Sequence, residues 1–432
     1  KSFRQYLFSV STEKQDIIES ENEFNDFEKN HFSFIRFFSE QPNHVSKYLF
    51  DPFKDTNYSN ELKFLLLSRN RTPAQELNLL IKFEKEKKSN LVGFFTHETE
   101  ELLENFAHHF GFPLIGNPIK LNSEGLKSSS RQAYLDLSLL HPRGTYKPLF
   151  KVEDIEDSKK RNLSGVSQII LKLDHSSGGF GNFVIKNIQE SEDGETPQVI
   201  PEKCQQKIQE VGCILEERIA QNVISSPAIG FFINDEGKVK ILFIHNQILG
   251  GEEGFSYQGA IGMPLKSLEN QSVWRKLIED TSKLANYLAK KGVRGFISTD
   301  TLKLSTNDFS FIENNLRLGG TNYPLECLNQ INSTFPSLDY HYYVGRIPLP
   351  LENIKVGSLQ NILRIFHNQV LSHPLSINNS KKTSKEGFLI FHDVNINKEI
   401  GVIILARSSE RLKEIQTEVT DVFIKMIEGI KK

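Results

Sequence analysis

Asp300 and, 13 residues on, the pattern Glu313-x-Asn315-x-Arg317 bring together the residue types that hold a hard cation beside an anion. The stretches GFISTDTLKL and FSFIENNLRL read as two strands joined by the turn STND, and on a strand the side chains at i, i+2 and i+4 share one face. A carboxylate, an amide oxygen and a guanidinium then project together from the second strand, while the turn brings Asp300 alongside from the first. Such donors suit Mg²⁺, which takes one or two carboxylates together with phosphate oxygens. Arg317 complements the charge of a transferred phosphoryl group. A solvated strand face carrying a salt bridge has the same composition, so this segment alone leaves both readings open.

A second chemical feature is the loop 174–183, DHSSGGFGNF, between the strand SQIILKLD and the strand FVIKNIQ. It joins two strands and precedes no helix, so it is neither a Walker A loop nor a dinucleotide fingerprint. Ser176, Ser177, Gly178, Gly179, Phe180 and Gly181 let backbone N–H groups approach phosphates and suit a lid that closes over ATP, although a purely structural hairpin fits the composition equally. Lys172, flanked by Leu171 and Leu173 near the end of an apolar strand, invites an anionic ligand.

These residues need a frame, and the hydrophobic pattern predicts one. Residues 1–60 show few clear strands, with a helix predicted over 21–38. From Glu61, ELKFLLLSRN, TPAQELNLLIKFEKEKK, NLVGFFT, HETEELLENFAHHFG and FPLIGNP alternate strand and helix, the rhythm of a small parallel-sheet layer over 61–120. A helical stretch at 124–139 is broken by HPRG at 141–144, and a polar section runs on to Ser167. Then come the hairpin at 168–188, a helix near 201–211, the strand CILEERI, and AIGFFIN paired with KVKILFIHNQIL around the turn DEG. SVWRKLIEDTSKLANYLAKKG is an amphipathic helix stopped at Gly292. Beyond Pro348 a helix near 357–371, the linker SINNSKKTSKEG, the strands FLIFHDV and EIGVIILA, and a last helix from SERLKE make a separate small α/β unit. There is no internal repeat.

A chain of 432 residues exceeds what one core organises. Its 52 basic and 54 acidic side chains leave a net charge of −2, too balanced for a broad nucleic-acid footprint. Cys204, Cys213 and Cys327 show neither CxxC spacing nor a matching His cluster. No apolar run approaches the roughly 20 residues that cross a bilayer, and the expected location is the cytoplasm. No Ser/His/Asp or Cys/His set suggests a covalent nucleophile.

Taken together, Lys172, the loop 174–183, Glu216 with Glu217 in ILEER, and Asp300 followed 13 residues on by Glu313-x-Asn315-x-Arg317 resemble the ATP-grasp ligases in order and spacing. The likeness covers about residues 90 to 325. More narrowly, KSSSR, DHSSGGFGN, SYQGAIGMP, ENNLRLGGTNYP and the small C-terminal unit resemble the pheganomycin-type peptide ligases. The resemblance implies a multidomain α/β and α+β chain: a parallel-sheet pre-ATP-grasp domain at 1–123, the ATP-grasp domain at 124–345 and a small α/β C-terminal domain at 346–432.

It implies ATP and Mg²⁺ as cofactors, with Mn²⁺ able to substitute, and a metal held by Asp300, Glu313 and Asn315. Lys127, Lys172, the loop residues Ser176 to Gly181, Glu216 and Glu217 take the nucleotide, and Arg317 and Lys172 serve the reaction. Lys127 owes its role to the resemblance alone, since a Lys beside three serines in a helix otherwise reads as a surface residue. The implied reaction joins a carboxylate to the amine of an amino acid or peptide through an acyl phosphate, releasing ADP and phosphate. No nucleic-acid or membrane partner is implied, and a homo-oligomer is left open. A thiol or hydroxyl acceptor, or a non-catalytic nucleotide-binding role on the same fold, are the alternatives.

The chain departs from the pattern at Gln221-Asn222-Val223, where many such ligases place an acidic residue for the ribose. Tyr257, Gln258 and Gly259 border the acceptor site or form a structural loop. His245, His341 and His392 read as packing or surface ahead of proton transfer.

Overall fold

The computed structural model describes residues 94–95, 114–115, 117–176, 181–186, 200, 202–219, 223–251, 253–263, 265, 268, 271–317, 319, 321, 340–351, 362, 365–366, 369–370, 372–376, 386–392 and 398–431. It divides into two compact units, one of Gly116–Gly319 and one of Lys1–Ile115 with Gly320–Lys432. In the latter, β1 (Phe94–Phe95) pairs parallel with β2 (Leu114–Ile115). These are the described part of the parallel layer expected over 61–120; its other elements, and the helix expected at 21–38, lie outside the described residues.

Unit 116–319 opens with a 3-10 turn at Ile119–Gly125 and helix α1 (Lys127–Asp136). Helix α2 (Glu153–Asn162) follows, inside the section the sequence shows only as polar. It buries little besides Ile155, Ser158 and Lys159, so its apolar stripe is too thin to register as a period. Strand β3 (Gln168–Leu173) pairs antiparallel with β4 (Asn182–Lys186) and with β5 (Cys213–Glu217), which follows helix α3 (Glu202–Val211). This small sheet has its own core, with Ile155, Leu163, Ile169, Leu171, Ile208 and Leu215 buried together. Cys204 and Cys213 are free buried thiols of that core, and burial pushes Cys213 up to about 12.

The larger sheet of the unit runs β10-β9-β6-β7-β8, all antiparallel, from β6 (Pro227–Ile233), β7 (Val239–Gly250), β8 (Ser256–Gly262), β9 (Gly295–Lys303) and β10 (Phe309–Asn315). SYQGAIG is therefore a strand and not a loop, with Tyr257, Gln258 and Gly259 within it. Helix α1 and helix α4 (Ser272–Lys290) cover one face, where Ile229, Phe231, Ile244, Leu277, Leu284, Ile297 and Phe311 close a second core. Along β9 the buried residues alternate as Gly295, Ile297, Thr299 and Thr301, which leaves Ser298 and Asp300 on the opposite face.

In the other unit, β11 (His341–Pro348) and β12 (Gly387–His392) flank β13 (Glu399–Ala406), and helix α5 (Ser409–Lys431) packs on β11 and β13. Phe366 and Phe388 meet Phe423 of α5 edge-on.

Candidate active site

The site begins with a fault in a ladder. Phe309 and Phe311 of β10 stand opposite Lys303 and Thr301 of β9, but the register then shifts, and Glu313 stands opposite Asp300. Ile312 is the extra residue. Without it Glu313 would follow Phe309 and Phe311 into the core; with it, Glu313 and Asn315 turn to the face of Asp300, while Asn314 takes the buried side. Bulges re-aim side chains in this way beside functional sites. The core side is held in place by Tyr134 of α1, whose hydroxyl donates to Asn314 Oδ1 (2.9 Å), and by Thr299, which donates to the Glu313 carbonyl (3.1 Å).

Asp300 accepts one hydrogen bond on each oxygen, from Gln247 Nε2 at 2.8 Å and from Asn315 Nδ2 at 3.1 Å. Burial and the adjoining Glu313 carboxylate raise its pKa far above the usual carboxylate range, against Arg317 and the two amide donors. Glu313 moves the other way: burial opposes its charge, but Lys127, Lys172 and Arg317 outweigh it and hold the carboxyl low. Lys127 Nζ lies 3.5 Å from Glu313 Oε2 and donates to the carbonyl (3.1 Å) and the hydroxyl (3.0 Å) of Ser176. This Lys, placed by resemblance alone, is buried at the first position of α1 with its amine beside the Glu313 carboxylate.

Lys172 sits on β3 with Leu171 and Leu173, as buried as they are, 2.6 Å from Glu216 Oε2. On the ladder Lys172 stands opposite Ile214 and Ile170 opposite Glu216, so the ion pair is the diagonal contact of two neighbouring strands on one face. The other oxygen of Glu216 accepts from Arg131 Nη1 at 3.0 Å. Arg131 is wholly buried; its remaining donors go to the carbonyls of Thr145 (2.7 Å) and Pro142 (2.8 Å), and its guanidinium lies over the Tyr146 ring. That carbonyl rim follows from Gly144, where a Cβ would stand 2.0 Å from Leu215 O, so only glycine lets the HPRG segment lie flat on β5. Glu217 points to the face of β5 opposite Glu216 and is not gathered with them.

Asp174, at the start of the loop, accepts from the Ser128 N–H (2.7 Å) and hydroxyl (2.8 Å) and so ties the small sheet to the first turn of α1. Gly181 closes the hairpin at φ +84°, its carbonyl accepting from the Leu173 N–H. Ser177, Gly178, Gly179 and Phe180 lie outside the described residues, as do Gln221 and Asn222. His245 is buried on β7, stacked on Phe243, and burial lowers it to about 3; His341 opens β11 in the other unit, and the side chain of His392 lies outside the described residues.

The structure thus brings Lys127, Lys172, Ser176, Glu216, Asp300, Glu313 and Asn315 together, with the Arg317 charge felt at both carboxylates. Arg131, Asp174 and Gln247 join them without having been singled out from the sequence. The only sign of Arg131 there is its place one helical turn after Lys127 in KSSSR. The donor set fits a divalent cation: two carboxylates meet across a strand pair and repel, and the Asn315 carbonyl oxygen stays available while its Nδ2 serves Asp300. Among the described residues no three acidic, His or Cys side chains form a closed cage.

No family model and no curated protein sequence matches the chain. Solved structures do. Biotin carboxylase from Campylobacter jejuni, in its β-γ-ATP complex, is similar at a TM-score of 0.54 and 14% identity over 84% of this chain and 83% of that one. The biotin carboxylase domain of Hydrogenobacter thermophilus 2-oxoglutarate carboxylase, with MgADP and bicarbonate, gives 0.51 and 12% over 84% and 82%. N5-carboxyaminoimidazole ribonucleotide synthetase from Thermus thermophilus gives 0.50 and 12% over 81% and 85%. At these identities the likeness establishes the fold, and the fold is that of the ATP-grasp proteins.

Proposed function

We propose that this chain is an ATP-dependent, Mg²⁺-requiring ligase that activates a carboxylate and joins it to an amine, with an amino acid or peptide among its substrates. The observation that carries the reading is the Asp300–Glu313 pair, faced across the ladder, with Asn315 on one side and Lys127 beside Glu313. The two biotin carboxylase structures of the same fold are complexes with β-γ-ATP and with MgADP, which supports a nucleotide between the small sheet and this face.

In this reading Lys127 and Lys172 meet the nucleotide phosphates. Glu216, clamped by Arg131, keeps Lys172 aimed. Mg²⁺ on Asp300, Glu313 and Asn315 would offset charge at the β- and γ-phosphates. Arg317 adds the cation that a transferred phosphoryl group and a later oxyanion both need. The resemblance gives the loop 174–183 the part of a lid, which would protect an acyl phosphate from hydrolysis before the amine arrives. The narrower peptide-ligase likeness, carried by KSSSR, DHSSGGFGN, SYQGAIGMP, ENNLRLGGTNYP and the small C-terminal unit, supports an amine as the acceptor.

The test is to incubate the protein with ATP, Mg²⁺ and pooled amino acids or short peptides, following phosphate release and product mass. One pool is expected to raise ATP turnover and yield a condensed product, and Glu313→Ala to lower that turnover at least 100-fold, in the range seen when a group stabilising transition-state charge is removed. Turnover no higher than in Glu313→Ala with every pool defeats the proposal.

A further inference from the structure

Asp300 and Gln247 lie on strands that do not touch. Asp300 on β9 stands opposite Ala228 of β6, Ala228 stands opposite His245 of β7, and the Gln247 N–H bonds the Ser226 carbonyl. Neighbouring strands are about 4.8 Å apart, so the Gln247 side chain crosses the whole width of β6, roughly 10 Å between backbones, to bring Nε2 within 2.8 Å of Asp300 Oδ1. It can do so because the residues beneath it are Ala228 and Ser226; a branched side chain at 228 would stand in its path.

The contact mirrors another. Asn315 donates to Oδ2 of the same carboxylate from the neighbouring strand on the other side. Two neutral amides therefore grip Asp300 from opposite flanks, one on each oxygen, and together fix the plane of the carboxylate. A carboxylate oxygen can accept two hydrogen bonds or ligands, so each Asp300 oxygen keeps one lone-pair direction for a cation. A Lys or Arg at 247 would have offset the charge a cation needs; an amide orients without neutralising.

The geometry points to Gln247 as a positioning residue of the cation site, one that locks the Asp300 carboxylate in the orientation a nucleotide-bound divalent ion meets. This rests on the cation site proposed above, and goes beyond it by adding a residue that lies on neither of the two metal-bearing strands. Outer partners that orient a metal ligand are worth about 10- to 100-fold in metal affinity.

The probe is Mn²⁺ with ADP, followed by the loss of the free Mn²⁺ signal in electron paramagnetic resonance. The proteins are wild type, Gln247→Leu, Gln247→Asn and Glu313→Ala. Gln247→Leu removes the donor at similar size, and Gln247→Asn keeps the amide but shortens its reach. Both are expected to weaken Mn²⁺ binding in the ADP complex about tenfold, with ADP affinity measured in EDTA changed less than twofold and unfolding temperatures within a few degrees of wild type. Mn²⁺ affinity within twofold of wild type in both variants overturns the role of Gln247. A parallel fall of metal-free ADP affinity overturns it too, since it would mean general damage to the fold. If wild type and Glu313→Ala take up Mn²⁺ equally poorly, the cation site itself is refuted and the functional reading falls with it.

Discussion

At the scale of single residues, this site is built from groups that burial would not tolerate alone. Glu216, Lys172 and Arg131 are each at most 4% exposed, and removing one partner of such a set leaves a buried charge that costs about 3–5 kcal/mol. The two oxygens of Glu216 serve one cation each, so the three are mutually required. His245 solves the same problem differently, by giving up its charge. Its Nδ1 has no hydrogen-bond partner among the described residues, its ring stacks on Phe243, and its pKa falls from 6.5 to about 3. The sign follows: below 6.5 the unfolded chain binds a proton that the folded chain refuses, so the stability this group confers is complete above 6.5 and is lost as the pH falls towards 3. Between pH 6.5 and 5 the loss amounts to about 2 kcal/mol. His245→Leu is expected to flatten the decline in unfolding free energy over that interval relative to wild type, as measured by urea melts. Parallel declines in the two proteins would show that His245 is protonated in the folded state.

At the scale of elements, the decisive features are the joints. Asp174 lends its carboxylate to the N-terminal turn of α1 from a different sheet, where the helix presents an unpaired N–H and a partial positive charge. Asp174→Ala is expected to destabilise the chain by about 1–3 kcal/mol and to speed hydrogen exchange in the first turn of α1 and in β3, leaving α4 unchanged. Equal acceleration in α4 would mean that the joint is not local. The same scale explains what the sequence made legible. E-N-N-L-R displays the shared face of Glu313 and Asn315 because alternation resumes after the bulge, but nothing in FSFI announces the extra residue at Ile312 that makes that face the right one. A Lys between leucines marks Lys172, whereas Arg131 and Lys127 look like the polar side of a helix, since their partners come from Glu216, Thr145, Ser176 and Glu313, remote in sequence. Gln247 was invisible for the same reason: its contact skips a strand. The glycines of SYQGAIG left a structural loop open because glycine is common in turns, yet Gly259 and Gly262 stand opposite Ile248 and His245 in a paired strand with a bulge at Gln258.

At the scale of the molecule, every residue assigned to the site lies in the continuous unit Gly116–Gly319. That unit holds both hydrophobic clusters around the site, one under the small sheet and one between the larger sheet and helices α1 and α4. Among the described residues, neither cluster draws one from beyond 316 or before 133. With a net charge of only −2 over the whole chain, long-range attraction contributes little to capturing an anion, so in the proposed function nucleotide affinity arises from the local cations Lys127, Lys172 and Arg317, all inside the unit. The fragment 116–319, expressed by itself, is therefore expected to unfold cooperatively and to bind Mg²⁺ with ADP. A ligand that binds only the folded form adds about 2.7 kcal/mol at 100 times its dissociation constant, so saturating Mg²⁺ and ADP are expected to raise the unfolding temperature of the fragment by several degrees, and of its Glu313→Ala form by much less. If the fragment melts cooperatively but gains nothing from nucleotide while the full chain does, residues of the other unit complete the nucleotide site.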